Sequence, residues 1–551
     1  MQNKPSRPRR HPSLCRGALA TAAMAVVACP AQAFEIDTGV EDLRLRLDNT
    51  VRYTAAARVK SRSAALASTV PGAAPGSFVG TNNINQDDGD NNFDRGIVSN
   101  RFDLLSELDV SWRGFGARLS GAAWYDTVYN RRNDNTTATV NHFPAGEFPA
   151  ETEEVMGRKA ELLDAFVFGK VDVGVPVTLR LGKHTLLWGE SLFFGANGIA
   201  GGMAPIDIVK ATSVPNSQFK EIGRPTGKLS GQVQITPDIA VGAYVGYEWE
   251  KSRLPPSGAY LNAIDPGGPG GETLRAGPNT VNRVGDLDAR DSGQRGVQLR
   301  LRSEAIDTDF GLYAINFHAF TPSNLNFSGP PPVAGSTYRF LYGEDIHAYG
   351  VSAAKTVGEW SLAAEASVRQ NMPLASSSQV TPGFALDNRD NPGYAVGETA
   401  HYQFSWLASL GPSFIAKEAS FVGEVAGNRR IKFTKNQRMA NPNASRSATS
   451  ARMVYTPTYR QVLDGLDLSP SVGGGFTWGK SSALGSGFGV DQGGDVSIGL
   501  GAVYLGSWFA NLNYVHYIGP EGGTNDNAGN AQYKQALKDR NFISLSLRTT
   551  F

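Results

Sequence analysis

N-F-I-S-L-S-L-R-T-T-F, residues 541–551, closes the chain. In an extended strand Ile543, Leu545, Leu547, Thr549 and Phe551 share one face, and Ser544, Ser546, Arg548 and Thr550 share the other. The first face suits lipid and the second a watery lumen. The same period of two recurs upstream. Leu43, Leu45, Leu47, Val51 and Tyr53 alternate with Arg44, Arg46, Asp48, Thr50 and Arg52; Phe102, Leu104, Leu108, Val110 and Trp112 alternate with Asp103, Glu107 and Asp109. Further alternating runs start at Ile239, Trp360 and Val496, the first carrying its apolar face on to Tyr247 and Trp249, the second pairing Trp360, Leu362 and Ala364 with Ser361, Glu365 and Arg369. Trp112, Trp249, Trp360, Trp478 and Trp508 fall at strand ends, where interfacial aromatic girdles are expected.

Short turns such as 113–114, 236–238, 357–359 and 464–465 alternate with long connections near 59–97, 130–160, 189–227, 251–292, 320–346, 370–400, 431–449, 479–493 and 518–539. Short turns at one end and long loops at the other, over roughly 16 to 18 strands, predict an all-β, transmembrane antiparallel β-barrel. No linker divides residues 34–551, so a single barrel domain is expected. The longest apolar stretch after the N-terminal segment, 191–206, is broken by Asn197, Pro205 and four glycines and cannot span a bilayer as a helix. A closed barrel is the other structure that satisfies backbone groups in lipid.

Residues 1–33 carry Lys4, Arg7, Arg9, Arg10 and Arg16 without an acid, then the apolar run 18–28, then Ala31-Gln32-Ala33. This is the pattern of a secretory signal peptide. Cys29 could mark a lipoprotein site, but Pro30 follows it and the Ala-x-Ala lies just downstream; Arg9-Arg10 lacks the flanks of a twin-arginine signal. With the leader removed the balance moves from 52 basic and 51 acidic residues to 47 and 51, and both cysteines, Cys15 and Cys29, are gone. Disulfides and thiolate metal sites are thereby excluded from the mature chain, and the near-neutral charge without a basic block argues against nucleic acid as a partner. The expected destination is the bacterial outer membrane of a Gram-negative cell, in contact with lipid and lipopolysaccharide.

With the apolar faces toward lipid, the lumen wall receives Arg44, Arg46, Arg52, Asp103, Glu107, Arg300, Arg302 and Arg548. These form either a charged constriction that orients a solute or cross-strand ion pairs that neutralise one another. The connection 189–227 is too long for a plain turn. Its Leu192, Phe193, Phe194, Ile199, Met203, Ile206, Ile208 and Val209 would each gain roughly 1.5–3 kcal/mol from burial. An inward-folded plug is expected, with a cap on the rim as the alternative. Glu190, Phe193, Phe194, Met203, Asp207 and Lys210 are its candidate gate residues, and Glu190, Asp207 and Lys210 are expected to latch it by ion pairs.

The acidic run N-Q-D-D-G-D-N-N-F-D, 85–94, does not match an EF-hand: from Asp88 the glycine position is Phe93 and the bidentate position is Ser99. A solvated polar turn is expected there, with a cation site of another kind in the loop as the lesser alternative. The six histidines outside the leader show no metal-ligand spacing. No metal, no cofactor and no enzyme activity are expected, since no motif joins a nucleophile to a base.

D-D-G-D-N-N-F-D-R-G-I-V-S-N-R-F (87–102), E-L-L-D-A-F-V-F-G (161–169), L-R-L-G-K-H-T-L-L-W-G-E-S (179–191), A-P-I-D-I-V-K (204–210) and F-K-E (219–221) together resemble domain-of-unknown-function family 1302. The segment Trp188 to Ser191 and the following Pro205-x-Asp207 are the most specific part, and Trp188 opens the expected plug. Lys183-His184 departs from the Arg-Gln expected at that place. The closing strand with its terminal Phe551 also resembles the assembly signal of bacterial outer-membrane barrels, with Thr549 standing where a second aromatic is usual. The resemblance implies a proteobacterial outer-membrane protein engaged by the barrel assembly machinery. It further implies traffic of hydrophobic compounds such as lipids, hydrocarbons, steroids or aromatics, alongside a periplasmic companion protein and an RND-type transporter. Three functions stand from this reading: a gated channel for hydrophobic or amphipathic small molecules, a general diffusion porin, and a barrel that docks a periplasmic or transporter partner.

Overall fold

The alternation organises the computed structural model, which describes residues 34–36, 39–67, 82–136, 141, 144–215, 217–276, 279–331, 335–526 and 528–551. The leader 1–33 lies outside the described residues. The wall strands are β1 (Leu43–Arg58), β2 (Gly96–Trp112), β3 (Phe115–Asp126), β4 (Arg158–Asp172), β5 (Pro176–His184) and β6 (Thr226–Thr236). They continue as β7 (Ile239–Gly246), β8 (Arg295–Ser303), β9 (Thr308–Phe317), β10 (Ile346–Val357), β11 (Trp360–Pro373) and β12 (Val396–Leu410). The last six are β13 (Glu418–Lys435), β14 (Ser447–Leu463), β15 (Leu466–Trp478), β16 (Gly493–Tyr504), β17 (Trp508–Ile518) and β18 (Phe542–Thr550). Each pairs antiparallel with the next, and β18 returns to β1 with Arg548 opposite Arg52 and Leu547 opposite Tyr53. Closure leaves no free sheet edge, which is the condition for strands in lipid. Phe34–Ile36 is a short spur that pairs with β1 at Leu45–Leu47. Beyond the last strand, the Phe551 backbone extends the seam by exchanging hydrogen bonds with Asn49 at 2.7 and 2.9 Å.

The turn at Arg113-Gly114 has both residues at positive φ, 48° and 86°, which matches the twist of a tight hairpin. Similar short links join β4–β5, β6–β7, β10–β11, β14–β15 and β16–β17, and all fall at one end of the barrel. The other end carries the long connections. Pleating sets the faces: Tyr53, Phe102, Leu104, Leu179, Val297, Val351, Leu500 and Leu545 are exposed on the outside. Trp112, Trp360 and Trp478 are exposed at strand ends, as a girdle requires. Trp249 is not part of it. β7 ends at Gly246, and the alternation that runs on to Trp249 belongs to a loop, where this indole is buried edge-on against Tyr342 at 5.3 Å. Thr549 keeps its outward face in register with Leu547 and Leu545, but it is buried there between Val51 and Trp508 of the neighbouring strands.

The inward face of β1 shows how far the lumen is filled. Arg58, Ala56, Thr54, Arg52, Thr50 and Asp48 are buried in turn, whereas Arg46 and Arg44 are exposed. On β8, Gly296 and Gln298 are buried while Arg300 and Arg302 are exposed. The barrel is therefore packed from its long-loop end to about mid-height and opens as an arginine-rich vestibule toward the short turns. Above the strands the long connections fold on one another. One layer is a five-stranded sheet of Thr273–Ala276, Asn279–Arg283, Asn324–Phe327, Thr337–Leu341 and Gln379–Val380. A second centre packs Phe93, Tyr129, Phe148 and Tyr260. The acidic run 85–94, expected as a solvated turn, is drawn into this layer: Asp87, Asp88 and Asp90 are buried, and 88–91 form one helical turn.

Candidate functional site

The connection between β5 and β6 enters the lumen, and its anchors are spread over strands far apart in sequence. Glu424 on β13 points inward, and its Oε2 accepts the backbone N–H groups of Leu192 at 3.1 Å, Phe193, and Phe194 at 2.9 Å. Glu365 on β11 accepts from the Glu190 N–H at 2.9 Å and the Ile199 N–H at 2.6 Å. Two positions further along the same face, Arg369 donates from Nη2 to the carbonyls of Ala196, Asn197 and Gly198 at 2.8–2.9 Å. One carboxylate and one guanidinium, four residues apart on a strand, thus hold both the donors and the acceptors of the turn 196–199. Asn197 completes the grip: its Nδ2 donates to the Tyr402 and Gly427 carbonyls, and its Oδ1 meets His401 and accepts from Asn428. A charged acceptor with two or three amide donors is among the stronger hydrogen-bonded arrangements a protein makes.

The turn depends on Gly198. A Cβ there would lie 2.2 Å from Ser191 Oγ, 2.6 Å from Gln403 Nε2 and 2.9 Å from Glu365 Oε1. Gly198→Ala is expected to destabilise the folded barrel by about 1–3 kcal/mol through this overpacking. The urea midpoint of the lipid-reconstituted protein reports it, and an unchanged midpoint would mean that the turn is not seated against β11 and β12.

The second half of the plug is clamped by ion pairs. Asp207 caps the helix Ile208–Ser213, accepting from the Lys210 N–H at 3.0 Å, and pairs with Arg253 at 2.6 Å. Lys210 Nζ lies 3.3 Å from Glu161 of β4, which also binds Arg253. The two cations lie over the face of Trp124, Lys210 Nζ at 4.7 Å and the Arg253 guanidinium at 5.7 Å from the ring centre. Burial pushes the Lys210 ammonium below its ordinary range against the pull of Glu161 and Asp207. Further on, Glu221 forms a bidentate pair with Arg52 at 2.9 and 3.2 Å, Arg52 lies 3.7 Å from Asp103, and Lys220 pairs with Glu107.

The expected gate residues therefore have separate fates. Trp188 is buried beside Tyr244 and Tyr313, at 5.3 and 6.5 Å between ring centres, and Met203 packs in the same cluster with Ile199, Ile315 and Phe317. Asp207 and Lys210 do enter ion pairs, with Arg253 and Glu161 respectively. Among the described residues Glu190 joins no salt bridge; its carboxyl is half-buried, and burial raises it despite Arg300 nearby. The expectation that Glu190 would latch the plug by an ion pair is thus corrected: its backbone, not its side chain, is what Glu365 holds. Phe194 is half-buried against Phe488 at 5.9 Å. Leu192 and Phe193, expected to be buried, are 47 % and 39 % exposed within the lumen, because the amides that Glu424 binds turn these side chains away from the wall.

Among the wall residues, Arg52, Asp103 and Glu107 meet the plug, whereas Arg44, Arg46 and Arg300 line the open vestibule. Arg548 is half-buried and lies 4.9 Å over the Phe509 ring. Lys183 binds Glu248 and Glu250 at 2.7 and 3.0 Å, and His184 is buried against Ser230 Oγ at 2.8 Å. Glu161, Arg253 and Glu424 were not foreseen as anchors, although Glu161 stands in one of the quoted motifs.

An eighteen-strand wall, apolar outside and polar inside, crossed by a segment latched at mid-lumen, defines a transmembrane β-barrel of the plugged class. The chain belongs to the family described as protein of unknown function DUF1302, whose model matches residues 14–551. Among solved structures it is similar to OccAB1 of Acinetobacter baumannii, with 12 % identity, 95 % of this chain and 99 % of that chain covered, and a TM-score of 0.43. It is also similar to OpdK of Pseudomonas aeruginosa solved with vanillate, with 10 % identity, coverage of 93 % and 99 %, and a TM-score of 0.42. No curated protein matches the chain.

Proposed function

We propose that the protein is an outer-membrane channel in which the plug 189–227 gates the passage of hydrophobic or amphipathic small molecules. The observation that carries this reading is the exposure of Leu192, Phe193 and Phe219 inside the lumen, at 47 %, 39 % and 48 %. Large apolar side chains are normally buried or turned to lipid in such a barrel, and here they stand on a segment whose other face is bound to the wall by charges. They offer an apolar solute a first contact beside the arginines of the vestibule, whose guanidiniums suit an anionic headgroup. The Glu424 contacts to the Leu192 and Phe193 amides can be exchanged for water more readily than the packed Ile199 and Met203, which makes 192–193 the part of the plug able to shift.

Uptake by a porin-depleted Gram-negative host tests the proposal, because lipopolysaccharide slows apolar solutes in the absence of a channel. Cells that make the full-length protein are expected to take up N-phenyl-1-naphthylamine several-fold faster than cells making the Leu192→Gln, Phe193→Gln double variant. Sugar uptake should be low in both. Equal, rapid entry of sugars and fluorophore that ignores the two substitutions would sink the reading in favour of a general diffusion porin.

A further inference from the structure

One seam of the wall is not joined along its whole length. Proline occurs in the wall strands at Pro176 and Pro373, the first and last residues of β5 and β11, and at Pro457 and Pro470, which lie inside β14 and β15. β14 and β15 pair continuously from Thr449 opposite Trp478 to Tyr455 opposite Val472, and pair again at Tyr459 opposite Leu468. That register sets Pro457 opposite Pro470, and the ladder lapses over 456–458 on one strand and 469–471 on the other. On their other sides both prolines stay in unbroken ladders, Pro457 opposite Ala419 of β13 and Pro470 opposite Leu500 of β16. The two missing N–H groups therefore both belong to the seam between β14 and β15, and each proline carbonyl faces a residue that has no proton to donate.

Proline in a sheet normally keeps to an edge, where the donor it lacks would have faced solvent. Here two prolines face each other in a closed wall, and an unpaired backbone group is unfavourable in lipid. The outward side of the gap is lipid-facing: Met453, Val472 and Leu500 are exposed around it, and Tyr459 and Tyr504 stand between it and the short turns. The inward side opens on the vestibule. Thr458 Oγ1 and Ser469 Oγ span it there at 3.2 Å, and the next strand offers only Gly499 and Gly501 opposite Ser471 and Ser469. Toward the short turns Arg460 pairs with Glu418 of β13 and, at 2.9 Å, with Asp467 of β15. The gap thus runs from Tyr455 to Tyr459, about 13 Å of strand, between an intact ladder and a charged foot. Glu424, whose carboxylate holds the amides of Leu192 and Phe193, stands opposite Arg452 of β14, so these exposed side chains are presented beside the strand that carries Pro457.

We propose, resting on the channel reading, that the seam between β14 and β15 is a lateral portal through which an apolar or single-chain amphipathic solute passes between the vestibule and the membrane interior. Parting two strands elsewhere in the wall breaks a pair of backbone hydrogen bonds at every second residue. Over this stretch the pair is already missing, so a slender chain enters by displacing one hydroxyl contact. Arg460, Glu418 and Asp467 hold a polar headgroup at the vestibule while the chain lies between the proline rings. Sugars and ions find no passage there, because the portal leads into hydrocarbon.

Locking the seam in the full-length protein tests the portal. Thr456→Cys with Ser471→Cys puts two thiols on facing inward positions, at a spacing that a disulfide accepts. In porin-depleted cells, oxidation of this variant should slow uptake of N-phenyl-1-naphthylamine several-fold, and a reductant should restore it. Gly501→Cys with Asn511→Cys, across the unbroken ladder of β16 and β17, should be indifferent to oxidation. Pro457→Val with Pro470→Val returns both N–H groups, and should raise the urea midpoint while slowing uptake, a combination that misfolding does not produce. Rapid uptake that ignores both the closed disulfide and the restored N–H groups overturns the portal and leaves the channel reading standing, with the solute leaving along the barrel axis. Equal slowing by the control lock overturns the portal as well. If wild-type cells take up no more fluorophore than cells without the barrel, the channel reading fails and the portal with it.

Discussion

Replacing residues 192–209 with a short glycine-serine link is expected to convert a barrel that passes little current in planar bilayers into one that conducts steadily. The expectation follows from what the segment occupies. It supplies the three amides on Glu424, the turn held by Glu365 and Arg369, and the apolar side chains Ile199 and Met203 that pack on β9. An eighteen-strand wall without that filling encloses a lumen wide enough for water, as barrels of sixteen to eighteen strands do. The long connections above it would remain, so the open current is expected below that of an unobstructed barrel. If the intact protein already conducts steadily and the replacement merely enlarges the current, the plug narrows the lumen without closing it.

Arg369→Met should have the largest effect of any single substitution in the wall. The guanidinium is 2 % exposed and is the donor shared by three carbonyls of the turn 196–198. Its loss leaves those acceptors and the Glu365 carboxylate without their cation, and breaking one partner of a buried charged network costs about 3–5 kcal/mol. The urea midpoint of the reconstituted protein should fall accordingly, and single-channel traces should show brief openings absent from the wild type. Adding Glu365→Gln to Arg369→Met is expected to recover part of the midpoint, because it removes the orphaned charge. Additive losses from the two substitutions would show that they act at independent sites and that the turn is not held by the pair.

The wall was legible in the sequence because pleating writes itself as period two. The closing strand, the seam beside Arg52 and the division into short and long connections are local patterns, and each survives as a strand, a register or a loop. Trp249 misled because alternation can continue past the last ladder hydrogen bond into a loop, and nothing in Tyr247-Glu248-Trp249 marks where β7 stops. The anchors were harder. Glu365 and Arg369 were visible as the polar face of the strand beginning at Trp360, but their partners lie about 170 residues earlier, and no periodicity links the two. Glu190 was chosen for its charge, whereas the fold uses its amide. A backbone N–H has no signature in a sequence, so a carboxylate that binds main chain leaves its partner unreadable.

The plug leaves the wall between β5 and β6 and is fastened six to eight strands further round, on β11, β12 and β13, with a return to β1 and β2 through Glu221 and Lys220. Such a chord constrains the order in which the molecule can be built. Its sockets on β11 to β13 are synthesised long after the chord itself, and β18 must still meet β1 around an interior that is already occupied. Seam closure and seating of the chord are therefore coupled events, and a barrel that zips shut with the chord outside has no route for correcting the mistake short of reopening at β1 and β18.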